Sequence, residues 1–349
     1  MHIDELETPF AAVNLDKLES NIVRLQRYLD EHSIKNRPHI KTHKIPEIAH
    51  MQIKAGAVGI TCQKLSEAEI MAQAGIRDIL VTYNIIGKAK LQRLMRLARS
   101  TKISVTADSE FTVNGLSTAA QCEKLELAIL VEFDSGAQRC GVQSPQEAAA
   151  LARLIGKSPG LHFAGLMTYP SNTRTDTFVQ QTKALLMLEN IQIECVSGGG
   201  TPNMWQAHTL KEVTEHRAGT YVYGDRHIIK SGAMSLDDCA FTVTTTVVSN
   251  PTPERVILDG GSKTFSSDLL DLDGYGAIIE YPEARIYSFS EEHGHVDVSR
   301  CSNKPQIGER LTVIPNHCCV VNNLFNQIIG LRGNSVEGIW PVAARGALH

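Results

Sequence analysis

Leu127-Ala128-Ile129-Leu130-Val131-Glu132-Phe133 is a short aliphatic run that ends in a glycine-containing turn, Asp134 to Val142. Apolar residues at helical spacing follow from Pro145 to Ile155. A run of that length bounded by turn residues reads as a strand, and the next segment reads as a helix. The stretch is therefore one βα unit. The same alternation recurs on both sides of it. Strand-like runs stand at 35–41, 57–62, 78–83, 102–107, 162–168, 193–197 and 215–221. Helical spacing lies between them at Ser66–Ala74, Lys88–Ala98 and Thr175–Glu189. In the first of these helices Ser66 is the expected N-cap, with Glu69 three residues on and Gly75 past the end. Strands alternating with helices predict an α/β fold with a parallel sheet. Eight of them predict a closed (β/α)8 TIM-type barrel rather than an open doubly wound sheet.

Beyond about residue 235 the pattern changes. Phe241–Ser249, Arg255–Leu258, Ala284–Phe289 and Arg310–Ile314 read as strands, separated by turns rich in Pro, Gly, Asn and Asp. Ala11–Leu15 supplies one more. The expected division is a barrel over 18–232 and a mostly β domain built from 1–17 and 233–349.

Bulk properties narrow the function classes. The chain has 349 residues, 42% hydrophobic and 21% charged, with a net charge of -4. Its interleaved charges leave no basic patch for nucleic acid. No apolar run reaches membrane-spanning length, and Met1 to Phe10 is too polar for a signal peptide. The eight cysteines form no C-x-x-C pair, which predicts a reducing, cytoplasmic setting.

Four places carry candidate chemistry. Lys41, in Arg37-Pro38-His39-Ile40-Lys41-Thr42-His43-Lys44, falls at the carboxyl end of the first barrel strand, the face where barrels place catalytic groups. A lysine there condenses with an aldehyde once it loses a proton, which burial and neighbouring cations favour. Arg37, His39, His43 and Lys44 supply such neighbours, although the segment by itself also reads as a solvated basic turn. Second, Ser197-Gly198-Gly199-Gly200-Thr201-Pro202 follows the seventh strand, where barrels often bind phosphate. Its glycines permit close approach of backbone N–H groups, and a plain flexible turn is the alternative. Third, Arg139 after the fifth strand and Tyr169 after the sixth can each touch a cofactor ring or simply line the rim. Fourth, in Pro315-Asn316-His317-Cys318-Cys319, a β segment would turn His317 and Cys319 to one side. Imidazole and thiolate together suit zinc, and two protein ligands leave the open positions of a catalytic ion. Glu291-Glu292-His293-Gly294-His295 is a candidate for outer support of that ion.

Taken together, these residues resemble the D-threonine aldolase and D-serine dehydratase family, fold-type III pyridoxal-phosphate enzymes related in fold to alanine racemase. Arg-Pro-His-x-Lys-Thr-His-Lys at 37–44 is the most specific piece. Supporting pieces are the glycine loop at 198–200, the turn ending in Arg139, Arg217 to Val222, Asp259 to Lys263, and Pro315-Asn316-His317-x-Cys319. The resemblance spans nearly the whole chain. It implies that Lys41 is the Schiff-base lysine and that Gly199, Gly200 and Thr201 contact the phosphate. It implies further cofactor contacts from Arg139, Tyr169 and Gln63. It assigns a divalent metal to His317 and Cys319, with zinc ahead of manganese or magnesium, and a head-to-tail homodimer. The expected activity is retro-aldol cleavage of β-hydroxy-D-amino acids to glycine and an aldehyde. The His-x-Cys pair is the dehydratase form of the metal motif, so elimination to a 2-keto acid is the nearest alternative. Racemization, or a non-catalytic role in pyridoxal-phosphate homeostasis, stands further off.

Overall fold

Pro38 explains the short start of the barrel. The first parallel strand, β2 (Lys35–Asn36), pairs in register with β9 (Glu215–Arg217), and the chain continues extended past the proline. Arg37 and His39 donate to the carbonyls of His216 and Ala218 on one side, while Thr61 donates to Pro38 and Ile40 donates to Thr61 on the other. Proline has no N–H, so the ladder toward β3 (Ile60–Cys62) is interrupted there and resumes at a single bridge, His39 to Thr61. β1 (Phe10–Asn14) precedes these strands and belongs to the other unit.

The computed structural model describes residues 1–349. In it β3 is followed in space by β4 (Asp78–Val81), β5 (Lys102–Ala107), β6 (Leu127–Glu132), β7 (Leu161–Met167) and β8 (Cys195–Gly199), and then by β9 beside β2. All eight are parallel, in chain order, and the bonds around Pro38 close the ring. The expected (β/α)8 barrel is the observed one.

Side-chain alternation builds two layers. Ile60, Ile79, Val81, Val105, Ile129, Val131 and Leu166 point outward, into one continuous core with the surrounding helices. Leu80, Leu130 and Met167 point inward and pack together inside the ring. Glu132 follows Leu130 by two positions and so shares the interior face.

Seven helices precede or connect the strands: α1 (Leu15–Glu31), α2 (Pro46–Lys54), α3 (Leu65–Gln73), α4 (Lys88–Ala98), α5 (Glu110–Glu123), α6 (Pro145–Lys157) and α7 (Thr173–Met187). Their starts are chemically marked. Ser109 caps α5, and Ser144 caps α6 with Glu147 returning to its backbone. Helix α3 differs from expectation. It starts at Leu65, so Ser66 is inside it. The carboxylate of Glu67 reaches back to the N–H groups of Gln63 and Lys64, while the Ser66 hydroxyl donates to the carbonyl of His349.

The chain divides into two compact units, one of 24–41, 48–219 and 347–349, the other of 1–23, 42–47 and 220–346. The second unit is mostly β. β10 (Phe241–Thr252) lies between β1 and β11 (Arg255–Leu258) and also pairs with β15 (Arg310–Pro315). β12 (Gly276–Ile278), β13 (Arg285–Phe289), β14 (Gly294–Asp297), β16 (Gln327–Arg332) and β17 (Ser335–Pro341) complete a nine-stranded sheet. Only the β1–β16 pairing is parallel. Short helices α8 (Arg226–Lys230), α9 (Ser262–Phe265) and α10 (Cys318–Asn322) interrupt it. No helix in the chain is long and apolar enough to cross a membrane.

Candidate active site

Lys41 leaves the extended strand at the carboxyl end of the barrel, where Tyr169 and Arg139 meet it. The lysine Nζ is 5.8 Å from the Tyr169 ring centre, and the Arg139 guanidinium is 5.2 Å from the same centre. A cation over an aromatic face at that distance is mildly favourable. Gly200 lies beside this ring: a Cβ built on it would sit 3.6 Å from Tyr169 Cε2. Three loops after different strands thus converge with the lysine.

The glycine loop has a structural reason for its composition. A Cβ on Gly199 would fall 2.4 Å from the Arg217 carbonyl oxygen, and Gly200 has φ +131°. Its amides are engaged within the fold. Gly199 N–H donates to Ser171 Oγ and Gly200 N–H to the Arg217 carbonyl. Of the three residues expected at a phosphate, Thr201 is therefore the one best placed to donate, and the two glycines shape the loop.

Beneath the mouth lies a buried charged layer for whose members the sequence offered no role. Arg217 is buried and donates to Ser197 Oγ at 2.7 Å and to the Thr168 carbonyl at 2.8 Å. Ser197 donates in turn to Glu215. Burial holds the Arg217 guanidinium down at about 10, against the pull of Glu215 and Glu132. Glu132 stands 3.8 Å from Arg139. Burial pushes its carboxyl up to about 7, although Arg139 opposes the shift. A single acidic residue inside an otherwise aliphatic strand was the signal available for Glu132.

His39 links Gln63 to the lysine. The Lys41 backbone N–H donates to His39 Nδ1, which places the ring proton on Nε2, facing Gln63 Oε1 at 3.2 Å. Gln63 donates onward to the Thr82 carbonyl at 2.9 Å. Its amide is thus occupied by His39 and Thr82. Burial, then the charges of Lys41 and Arg217, hold His39 well below its ordinary range, so the ring is neutral. Arg37 does not join this group. It pairs with Asp78 and Glu215, the first residues of β4 and β9, at the opposite rim.

Taken by charge and shape, the mouth suits pyridoxal phosphate. It offers one primary amine, the two guanidinium groups of Arg139 and Arg217 against the buried carboxyls of Glu132 and Glu215, an aromatic face and a glycine-rich turn.

His317 and Cys319 lie in the other unit, and not on a strand. β15 ends at Pro315 because Asn316 turns its amide to the carbonyls of Asp268 and Gly274. His317 is extended and precedes α10, whose first turn holds Cys319. The two side chains still come together across that turn rather than by strand alternation. Cys318, with further help from His317 and Thr42, holds the Cys319 thiol well below its usual range despite burial. Burial lowers His317, but Cys319 and Asp225 outweigh it and raise the imidazole to about 10. The Thr42 hydroxyl, one residue after Lys41, lies 3.3 Å from Cys319 Sγ. Soft sulfur and imidazole fit a zinc-like cation as two ligands. No group of three or more His, Cys, Asp or Glu side chains gathers to enclose one. Glu291 and Glu292 pair with Lys263, and His295 meets Ser290. The carboxylate behind His317 is Asp225, 92 residues earlier in sequence, which no local pattern revealed.

Comparison with known proteins covers nearly the whole chain. Residues 13–227 match the alanine racemase N-terminal domain, and residues 240–331 match a serine dehydratase domain. The D-threonine aldolase of Arthrobacter sp. is 34% identical over 98% of this chain and 93% of its own length. The crystal structure of D-threonine aldolase from Filomicrobium marinum superposes with a TM-score of 0.91 at 30% identity, covering 99% of this chain and 97% of that one. The D-threo-3-hydroxyaspartate dehydratase of Delftia sp. is 28% identical over 96% of this chain and 97% of its own length. A cysteine-to-alanine variant of a dehydratase of that name, solved in a metal-free form, has a TM-score of 0.85 at 26% identity over 98% of each chain.

Proposed function

The chain belongs to the family of D-threonine aldolases and D-serine dehydratases built on the alanine racemase N-terminal domain, and from that premise we propose that it is a pyridoxal-phosphate- and metal-dependent lyase cleaving β-hydroxy-D-amino acids to glycine and an aldehyde. The observation that carries the reading is the meeting of Lys41, Arg139 and Tyr169 at the carboxyl end of the barrel, in a chain that matches D-threonine aldolases along nearly its full length.

When bound, pyridoxal phosphate supplies an electron sink for charge left at Cα, and a divalent cation supplies a Lewis acid for the β-oxygen. Lys41 is the cofactor-holding amine, and its Nζ returns a proton to Cα of the glycine product. Arg139 and Tyr169 would contact the cofactor beside that amine, with Glu132 3.8 Å from Arg139. Thr201 takes the phosphate on a turn that Gly199 and Gly200 allow. Gln63 acts through His39 on the Lys41 backbone. His317 and Cys319 would hold the cation, zinc by their chemistry, and two protein ligands would leave it open positions. Which bond breaks is decided by which one the protein holds parallel to the ring's π orbitals. We also read the protein as a cytoplasmic homodimer.

Elimination to a 2-keto acid is the second reading. The His-x-Cys pair, the dehydratase form of the motif, favours it. The deciding experiment incubates cofactor- and zinc-loaded protein with D-threonine and with D-threo-3-hydroxyaspartate. Glycine as the stoichiometric product supports the aldolase. Ammonia with 2-oxobutyrate or oxaloacetate replaces it with the dehydratase.

A further inference from the structure

Asp225 spends one more oxygen than its local role requires. It caps the five-residue helix α8 by accepting the Ile228 N–H at Oδ1, 2.9 Å away. A cap needs one acceptor. The other oxygen, Oδ2, accepts from His317 Nδ1 and from the Cys318 N–H, each at 3.0 Å. The Asp225 side chain is wholly buried. It therefore has no solvent to share and sits where a carboxylate is costly unless every contact is used. All three of its bonds come from N–H donors, and two come from the turn bearing His317 and Cys319.

We infer that Asp225 is the positioning residue of the metal centre: it fixes the His317 proton on Nδ1 and so presents Nε2 to the cation. The inference rests on the metal-dependent reading above. A histidine ligand must offer a lone pair from one nitrogen, and the partner of the other nitrogen decides which one is free. An acceptor-only carboxylate at Nδ1 admits a single answer. By also holding the Cys318 amide, the same oxygen fixes the first turn of α10 and thereby the direction of Cys319. One buried side chain thus orients both ligands, which matters more where only two protein ligands are present.

A plain structural role predicts something different. If Asp225 served only as a helix cap, asparagine would replace it with little loss, because the two residues cap about equally well. In Asp225→Asn with the amide oxygen kept on the Ile228 N–H, the NH2 group takes the place of Oδ2 and confronts both His317 Nδ1 and the Cys318 N–H. Donor meets donor at the imidazole unless its proton moves to Nε2, the atom the cation needs.

The test is zinc affinity without substrate, by chelator competition, on wild-type and Asp225→Asn protein carrying pyridoxal phosphate. The inference expects affinity to fall about 10- to 100-fold, in the range seen for lost outer-sphere partners. Cofactor absorbance should change little, while the zinc-free variant should melt at a somewhat lower temperature, because buried N–H groups lose their acceptor. Equal affinity in the two proteins overturns the inference and leaves the lyase reading standing. Wild-type protein that binds no zinc overturns both. Should the variant fail to fold, the 15N spectrum of histidine-labelled, zinc-loaded wild type decides. A proton on His317 Nδ1 supports the inference, and metal on Nδ1 refutes it.

Discussion

Glu132→Gln should remove a pH dependence of stability whose size follows from the structure. The carboxyl titrates near 4.5 in an unfolded chain and near 7 in the fold, chiefly because it is buried. Between those values the folded protein holds a proton that the unfolded chain has released. Stability then falls as pH rises, by about 1.4 kcal/mol per unit. The contribution is complete below pH 4.5 and is lost once pH has passed 7. Between pH 5 and pH 8 this one group costs about 2–3 kcal/mol. Asn or Gln in its place carries no such term. Urea unfolding of cofactor-free wild type and Glu132→Gln at both pH values isolates the effect, since other titrations cancel in the difference. The variant should gain about 2–3 kcal/mol on the wild type between pH 5 and pH 8. A difference that stays constant across that range refutes the assignment of Glu132 as a buried, half-protonated neighbour of Arg139.

Cys319→Ala should lower zinc affinity by at least 100-fold, on the order expected when one of two protein ligands is lost, while the cofactor absorbance from Lys41 persists. Loss of that absorbance would mean that the cysteine supports the barrel instead. Gly199→Ala should destabilise by about 1–3 kcal/mol, because its methyl would meet the Arg217 carbonyl, and it should weaken cofactor binding, which a phosphate-independent thermal melt and a cofactor titration separate. Ser144→Ala should cost about 1 kcal/mol in urea unfolding through the lost cap of α6, with turnover per folded enzyme unchanged. Chelator treatment should abolish turnover of D-threonine, and zinc should restore it; full activity after exhaustive chelation contradicts the metal's part in the reaction.

The barrel was legible because each strand was a short aliphatic run between turn residues, and helix α4 stood at Lys88–Ala98 as read. What failed to show had physical causes. The extended segment 35–41 gave only two residues of regular ladder, because Pro38 removes a donor. Ser66 looked like a cap, but a carboxylate one residue further on, Glu67, reached the free amides first. Pro315 to Cys319 reads as a β segment on which His317 and Cys319 would alternate to one side. Asn316 breaks it by bonding carbonyls more than forty residues away. His317 and Cys319 come together across the first turn of α10 instead of by strand alternation. Asp225, Arg217 and Glu132 gain their roles only from contacts between distant segments, which no short window of sequence contains. Lys41, Arg139 and Tyr169 were each ambiguous alone, and the fold brings both cations to the one aromatic ring.

The central claim is that Lys41 carries pyridoxal phosphate. Borohydride reduction of the cofactor-loaded protein, followed by peptide mapping, tests it most directly. The account predicts a single pyridoxyl-modified residue, Lys41, and none in a Lys41→Ala variant; modification at Lys44 or elsewhere, or a variant that keeps the cofactor's absorbance, would contradict it.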